Sequence, residues 1–243
     1  MKQFALLFAF LFLLAGCGHK PARVSVAPAP PIQQKPAATP QAGPSETPTY
    51  ADSIAVPIDT KPLLVETGIA SWYGPPYHNR RASNGEIYDM HAMTAAHRTL
   101  PLGSIVRVTN IENGDSAVVR ITDRGPFIEG RIVDLSQAAA KKVGLVQKGT
   151  GQVRIEVLQT PAPIESGGKW AVQIGSFGHE EDARDLAGHL SRRYQTAKVL
   201  TFNSPAGDWW VRVRVKGDLR DRAEEVLRNS RTSEGGIFLV RLD

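Results

Sequence analysis

The chain is almost without cysteine. Its 243 residues hold one, Cys17, so no internal disulfide can form and the folded parts must stand on packing alone. It also lacks a bilayer-spanning run at its apolar N-terminus, since spanning takes roughly 20 apolar residues. The stretch from Phe4 to Leu14, behind Lys2, has instead about the length of a secretory-signal core. A strong charge of one sign is missing too. The 29 basic and 24 acidic residues leave a thinly spread net +5, which excludes a nucleic-acid domain on charge while suiting work beside an anionic polymer or membrane. No HExxH spacing and no cysteine cluster is present, so neither a metal nor a cofactor is expected.

What is present begins at Leu14-Ala15-Gly16-Cys17, where apolar sequence switches abruptly to polar, proline-rich sequence. This resembles bacterial lipoprotein precursors. The resemblance implies cleavage before Cys17, lipid on its thiol and acylation of the new amino terminus, hence a membrane partner. Gly18 stands where an aspartate would favour inner-membrane retention, which implies the periplasmic face of the outer membrane. Beyond it, Pro28, Pro30, Pro31, Pro36, Pro40, Pro44 and Pro48 are too close for helix or sheet and give an extended tether. At about 3 Å per residue it reaches more than about 100 Å. The expected organisation is a signal at 1–16, lipidated cysteine and tether at 17–65, a first folded domain at 66–160, a linker at 161–168 and a second domain at 169–243.

The first domain reads as mainly β, with strands expected over Ile69–Tyr73, Ser104–Thr109, Ala117–Thr122, Arg131–Leu135 and around Val153, Ile155 and Val157. Asn113-Gly114 marks a hairpin. Ser136 reads as the N-cap of a helix over Gln137–Val143 that Gly144 ends. A short helical turn is expected near Thr94. A small closed barrel would leave no strand edge exposed. After the linker the pattern becomes β-α-β-β-α-β: Trp170–Ile174, a helix over Glu180–Tyr194, Lys198–Phe202, Trp209–Val215, a helix over Leu219–Leu227, and Ile237–Val240. A four-stranded antiparallel sheet with two helices on one face satisfies it, an α+β, ferredoxin-like solution.

Chemistry gathers in the first domain. Asp123 ends a strand and opens Asp123-Arg124-Gly125-Pro126-Phe127, whose Gly and Pro force a turn at a barrel mouth. Taken singly, Asp123 fits an Asx turn, and Glu86, Asp89, His91 and His97 are equally ambiguous. Together with Gly68-x-Ala70-Ser71-Trp72-Tyr73-Gly74, Ala82-Ser83-Asn84-Gly85-Glu86-x-Tyr88-Asp89 and Thr94-Ala95-Ala96-His97-Arg98-Thr99-Leu100-Pro101-Leu102-Gly103, the pattern resembles the six-stranded double-psi β-barrel of the rare lipoprotein A family of septal lytic transglycosylases. The resemblance implies cleavage of the β-1,4 bond between N-acetylmuramic acid and N-acetylglucosamine in glycan strands stripped of stem peptides, leaving 1,6-anhydro ends. It places the catalytic and essential groups on Asp123, His97 and Glu86; of these we assign Asp123 the double role of acid and then base. Trp72, Tyr73, Tyr88 and Arg124 are candidates for sugar binding, the aromatics being equally suited to barrel core. His91 stands where relatives are expected to carry asparagine and is given no catalytic weight.

Trp170-Ala171-Val172-Gln173-Ile174-Gly175-Ser176-Phe177 and Trp209-Trp210-Val211-Arg212-Val213-Arg214-Val215 resemble the sporulation-related (SPOR) peptidoglycan-binding domain, although Lys216-Gly217-Asp218 replaces the Gly-Pro-Phe common after its third strand. This implies binding of denuded glycan through Gln173, Ser176, Phe177, Trp210 and Arg212. Alternation assigns Trp209 to the core and Trp210 to the exposed face. The expected partner is therefore peptidoglycan at the division septum and not nucleic acid, with the chain a monomer. A noncatalytic, expansin-like wall binder is the competing reading.

Overall fold

The computed structural model describes Pro57 and residues 59–243; the expected signal, Cys17 and most of the expected tether lie outside the described residues. Six strands close into a barrel: β1 (Leu64–Tyr73), β2 (Thr94–His97), β3 (Ile105–Asn110), β4 (Ser116–Asp123), β5 (Arg131–Ser136) and β6 (Gly151–Gln159), in the spatial order β1-β5-β2-β4-β3-β6. The pairs β1–β5 and β2–β4 are parallel and the other four antiparallel. Alternating side chains put Val106, Val108, Val119, Ile121, Val153, Ile155 and Val157 inside, all essentially without solvent contact. The β3–β4 hairpin turns at Asn113-Gly114, with Gly114 at φ +78°, as the Asn-Gly pair indicates.

Helix α1 (Gln137–Lys142) begins where Ser136 Oγ accepts a hydrogen bond from Ala139 N at 3.1 Å. The expected helical turn at Thr94 is instead β2. Its alanines suit a helix, but the segment lies between β4 and β5 and pairs with both, so closure of the barrel overrides local propensity.

The second sheet comprises β7 (Trp170–Phe177), β8 (Lys198–Asn203), β9 (Trp209–Arg214) and β10 (Gly236–Arg241), ordered β10-β7-β9-β8 and antiparallel throughout. Helices α2 (Glu180–Arg193) and α3 (Arg220–Asn229) share one core with Trp170, Val172, Ile174, Val211 and Val213, as the βαββαβ pattern requires. Lys216–Asp218 forms a short 3-10 turn.

The opposite sheet face is turned to the barrel. Arg241 N donates to Arg98 O at 3.0 Å, and Phe127 packs on Trp210 and Phe238 with ring centroids 5.4 and 5.8 Å apart. Gly125, at φ +144°, a conformation L side chains rarely adopt, turns the chain so that Phe127 reaches that face. Trp210 is therefore 7% exposed and not the open aromatic expected. Strand alternation directs Trp210 away from the helices, and the barrel covers the face it reaches. Phe177 also differs: the ladder shifts register between Gly175 and Phe177, and the bulge at Ser176 turns Phe177 into the helix-side core.

Candidate active site

Ladder register builds the site. Ser71 on β1 pairs with Asp134 on β5, Asp134 pairs with Ala96 on β2, and Ala96 pairs with Asp123 on β4. In-register partners project to the same face. Two carboxylates thus flank one methyl group, with main chains two strand spacings, about 10 Å, apart. All four residues line a cleft of about 740 Å³ between the barrel and the second sheet, within the range of small-ligand sites. Its walls include Tyr73, Tyr77, Tyr88, Arg131 and Phe127 from the barrel, and Gln173, Ser176, Phe202, Trp210 and Arg212 from the sheet.

Asp123 is held by one oxygen. Its Oδ1 accepts from Ser83 N at 3.0 Å, Ser83 Oγ at 2.5 Å and Arg124 N at 2.8 Å. Among the described residues Oδ2 accepts no hydrogen bond, which leaves it for a ligand. Asp134 meets Arg131 through the latter's Nε at 3.1 Å and through Nη2, yet burial raises its pKa above the ordinary aspartate value despite that guanidinium. Asp134 and Ser83 were not singled out from the sequence. The signal for Asp134 was a charge inside the otherwise apolar run Ile132-Val133-Asp134-Leu135. For Ser83 it was membership of the Ala82-Ser83-Asn84-Gly85 motif.

Glu86 and His97 do not line the cleft. Glu86 meets Arg120 in a two-pronged pair, Nη1 to Oε1 at 3.0 Å and Nη2 to Oε2 at 2.6 Å, and this pairing lowers its pKa. Half-exposed pairs of this kind contribute about 1 kcal/mol or less, so the pair's value is geometric. Together with Asn84 N donating to Thr122 O at 3.1 Å, it fastens the 82–88 loop to β4 and sets Ser83 against Asp123.

His97 is buried. Its Nδ1 accepts from Thr99 N and Leu100 N at 3.2 and 3.1 Å, so the neutral ring carries its proton on Nε2, 3.5 Å from Glu66 Oε2. The 97–100 turn fixed in this way accepts Arg124 Nη1 at His97 O (3.0 Å) and Leu100 O (2.7 Å), while Arg124 Nη2 donates to Asp243 O at 2.6 Å. His97 therefore reaches Asp123 through Arg124, not by direct contact. Arg124, expected at a sugar, borders the cleft, yet its guanidinium is bonded to main-chain oxygens, and burial pushes its pKa down to about 10.

Burial likewise lowers the His97 pKa below 6.5, against the opposing effect of Glu66. The unfolded chain therefore takes up this proton first. Stability from the neutral ring is complete above pH 6.5 and is lost as pH falls toward the folded value. Glu66, lowered from 4.5 by its bond to His97, acts in the same direction further down. Between about pH 7.5 and about pH 5.5 the Tm is expected to fall more steeply for the native chain than for His97→Asn. Thermal melts giving equal slopes would contradict this.

The aromatics divide. Tyr73 and Tyr88 stack on each other at 4.3 Å, Tyr88 Oη donates to Tyr73 O at 2.8 Å, and burial raises both phenol pKa values. Trp72 packs against the barrel core while also bordering the cleft. Tyr77, which no sequence motif distinguishes, stands edge-on to Tyr73 at 5.8 Å and is half-buried at the cleft wall. Of the residues expected in the second domain, Gln173, Ser176, Trp210 and Arg212 border the cleft and Phe177 does not. Among the described residues no three His, Cys, Asp or Glu side chains are grouped so as to hold a metal ion.

The fold and its cleft define a two-module class: a double-psi β-barrel followed by a SPOR-type sheet with two helices. Residues 65–155 match the family described as Lytic transglycolase, and residues 166–231 match the SPOR domain. Endolytic peptidoglycan transglycosylase RlpA of Vibrio cholerae is 52% identical over 136 residues, 53% of this chain and 52% of that protein. The protein of the same name from Campylobacter jejuni is 36% identical over 202 residues, 72% of this chain and 71% of its own length. The chain belongs to the RlpA family. It spans about half the length of the first curated relatives it matches. Among solved structures, a Streptomyces papain inhibitor is 22% identical over 42% of this chain and 100% of its own, with a TM-score of 0.34, and adds nothing to the barrel already described.

Proposed function

We propose that the chain is an endolytic lytic transglycosylase of peptidoglycan, cutting the MurNAc-β-1,4-GlcNAc bond in strands without stem peptides. The observation that carries this is the row Asp123–Ala96–Asp134 on the floor of a sugar-sized cleft. Family membership supports it. In the reaction, protonated Asp123 gives its proton through Oδ2 to the glycosidic oxygen, and the C1–O bond breaks as positive charge develops at C1. The C6 hydroxyl of the same muramyl residue closes onto C1 and returns its proton to Asp123, so the carboxyl is reset and no water is consumed. Asp134, on the far side of Ala96, supplies negative charge to the oxocarbenium-like centre in the manner of paired glycosidase carboxylates. Ser83 and Arg124 N orient Asp123, and Glu86 and His97 act as positioning residues behind them.

The same proposal extends to the rest of the chain. The 1–16 segment is a signal, lipid on Cys17 anchors the protein at the periplasmic face of the outer membrane, and 17–65 is the tether. Residues 66–160 cut, 161–168 link, and 169–243 bring the monomer to denuded glycan at the septum during daughter-cell separation. The test incubates mature protein with amidase-stripped and with intact sacculi, identifies released fragments by mass spectrometry, and weighs the N-terminal peptide of the same preparation. Anhydro-ended fragments from stripped material and a lipidated Cys17 are the expected results. Binding without release would replace the enzyme with a wall binder.

A further inference from the structure

Two large rings pack in neither core. Phe127 follows Asp123 on the barrel, and Phe238 leaves β10 on the side away from α2 and α3; neither joins the apolar cluster of its own module. They pack on each other, and the Arg98 guanidinium lies 5.4 Å over the Phe238 ring while its Nη1 donates to Pro126 O at 3.3 Å. Beside the rings the main chains are joined. Arg241 N donates to Arg98 O at 3.0 Å, and Leu102 N donates to Asp243 O at 3.3 Å. The segment from Asp123 to Phe127 is thus gripped between the 97–102 turn of the barrel and the end of β10.

Arg124 turns that grip into a constraint on the acid. Its N–H donates to Asp123 Oδ1 at 2.8 Å, while its guanidinium bridges the modules, Nη1 to His97 O and Leu100 O in the barrel and Nη2 to Asp243 O in the second. All three acceptors are main-chain oxygens, which move only with the chain that carries them. Asp243 is pinned in turn, its Oδ1 accepting from Lys169 N at 2.9 Å and Arg241 Nε at 3.0 Å. We propose that the docked second module is a positioning element of the catalytic site, setting Asp123 from Asp243 through Arg124 and from Phe238 through Phe127. Arg98, Phe238 and Asp243 do not line the cleft, so this path runs behind the site. The inference rests on the functional reading above, and it gives the second module a part in the chemical step that is separate from holding glycan. Misplacing a reacting group by about 1 Å costs about a hundredfold in rate, so even a slight loosening of the grip should register.

The test compares the full native chain with Phe238→Ala, Phe238→Leu and Arg124→Lys. Turnover is measured on soluble peptide-free glycan oligosaccharides, and amide hydrogen exchange of Ser83 and Arg124 is read by NMR. Phe238→Ala is expected to lower kcat about tenfold to a hundredfold with KM held within about twofold, and to speed exchange at both amides about tenfold. Phe238→Leu, which refills part of the seat, should restore part of both. Arg124→Lys keeps the charge but not the three-way bridge, and should show the same pair of changes with Phe238 in place. Circular dichroism melts show which variants are folded, and Arg124→Lys decides the matter if Phe238→Ala is not. Native kcat, native exchange at both amides, or a loss carried wholly by KM in a folded variant would overturn the inference. A native chain without turnover sinks the enzyme reading alone, and exchange then decides the coupling.

Discussion

Replacing Asp123 with asparagine is expected to lower the release of anhydro-ended fragments about a thousandfold, because the group proposed to give and take the proton is gone. The substitution is nearly isosteric, and the amide oxygen can still accept from Ser83 and Arg124 N, so the fold should persist. Binding to stripped sacculi should change little, since the second module's contacts are untouched. Fragment release measured by chromatography, together with a melting curve, decides the matter. A folded variant cutting at near-native rates would move the proton transfer to another residue.

Asp134→Asn is expected to reduce turnover about a hundredfold, through loss of the negative charge facing the developing cation. The effect should fall on kcat more than on KM, because that charge matters most once the bond has begun to break. The pKa of Asp134 is raised by burial, so its charge is lost at a higher pH than an exposed aspartate would lose it. Native activity should therefore drop on acidification from above that raised value, and the Asn variant should lack this part of the profile. A variant whose kcat matches the native enzyme at every pH would reduce Asp134 to a partner of Arg131.

Much of this arrangement was legible in local chemistry. Alternation located the barrel strands and the second sheet, Asn113-Gly114 gave the hairpin, and Ser136 gave the helix start. The motif resemblance also named Asp123, Glu86 and His97. What they could not give was who meets whom. Thr94–His97 becomes a strand only because two partners lie beside it. Trp210 is buried by a phenylalanine more than eighty positions away, and a one-residue bulge reverses Phe177. Asp134 escaped notice because its importance lies in ladder register, which links it to Asp123 across Ala96 without any shared sequence motif. Glu86 and His97 were named beside Asp123 by the motif resemblance but not as remote from it, since spacing along a chain carries no direction for a side chain.

The smallness of Ala96 has a practical consequence. The depth available between the two acids is governed by a single methyl group, so cutting could be uncoupled from recognition without disturbing either acid. A valine or leucine there would act as a plug, raising the floor while leaving the proton-transfer groups and the outer walls in place. Pocket depth and the two carboxylates are separable at this position, and under the proposed function a graded series there is expected to turn strand cutting into strand holding.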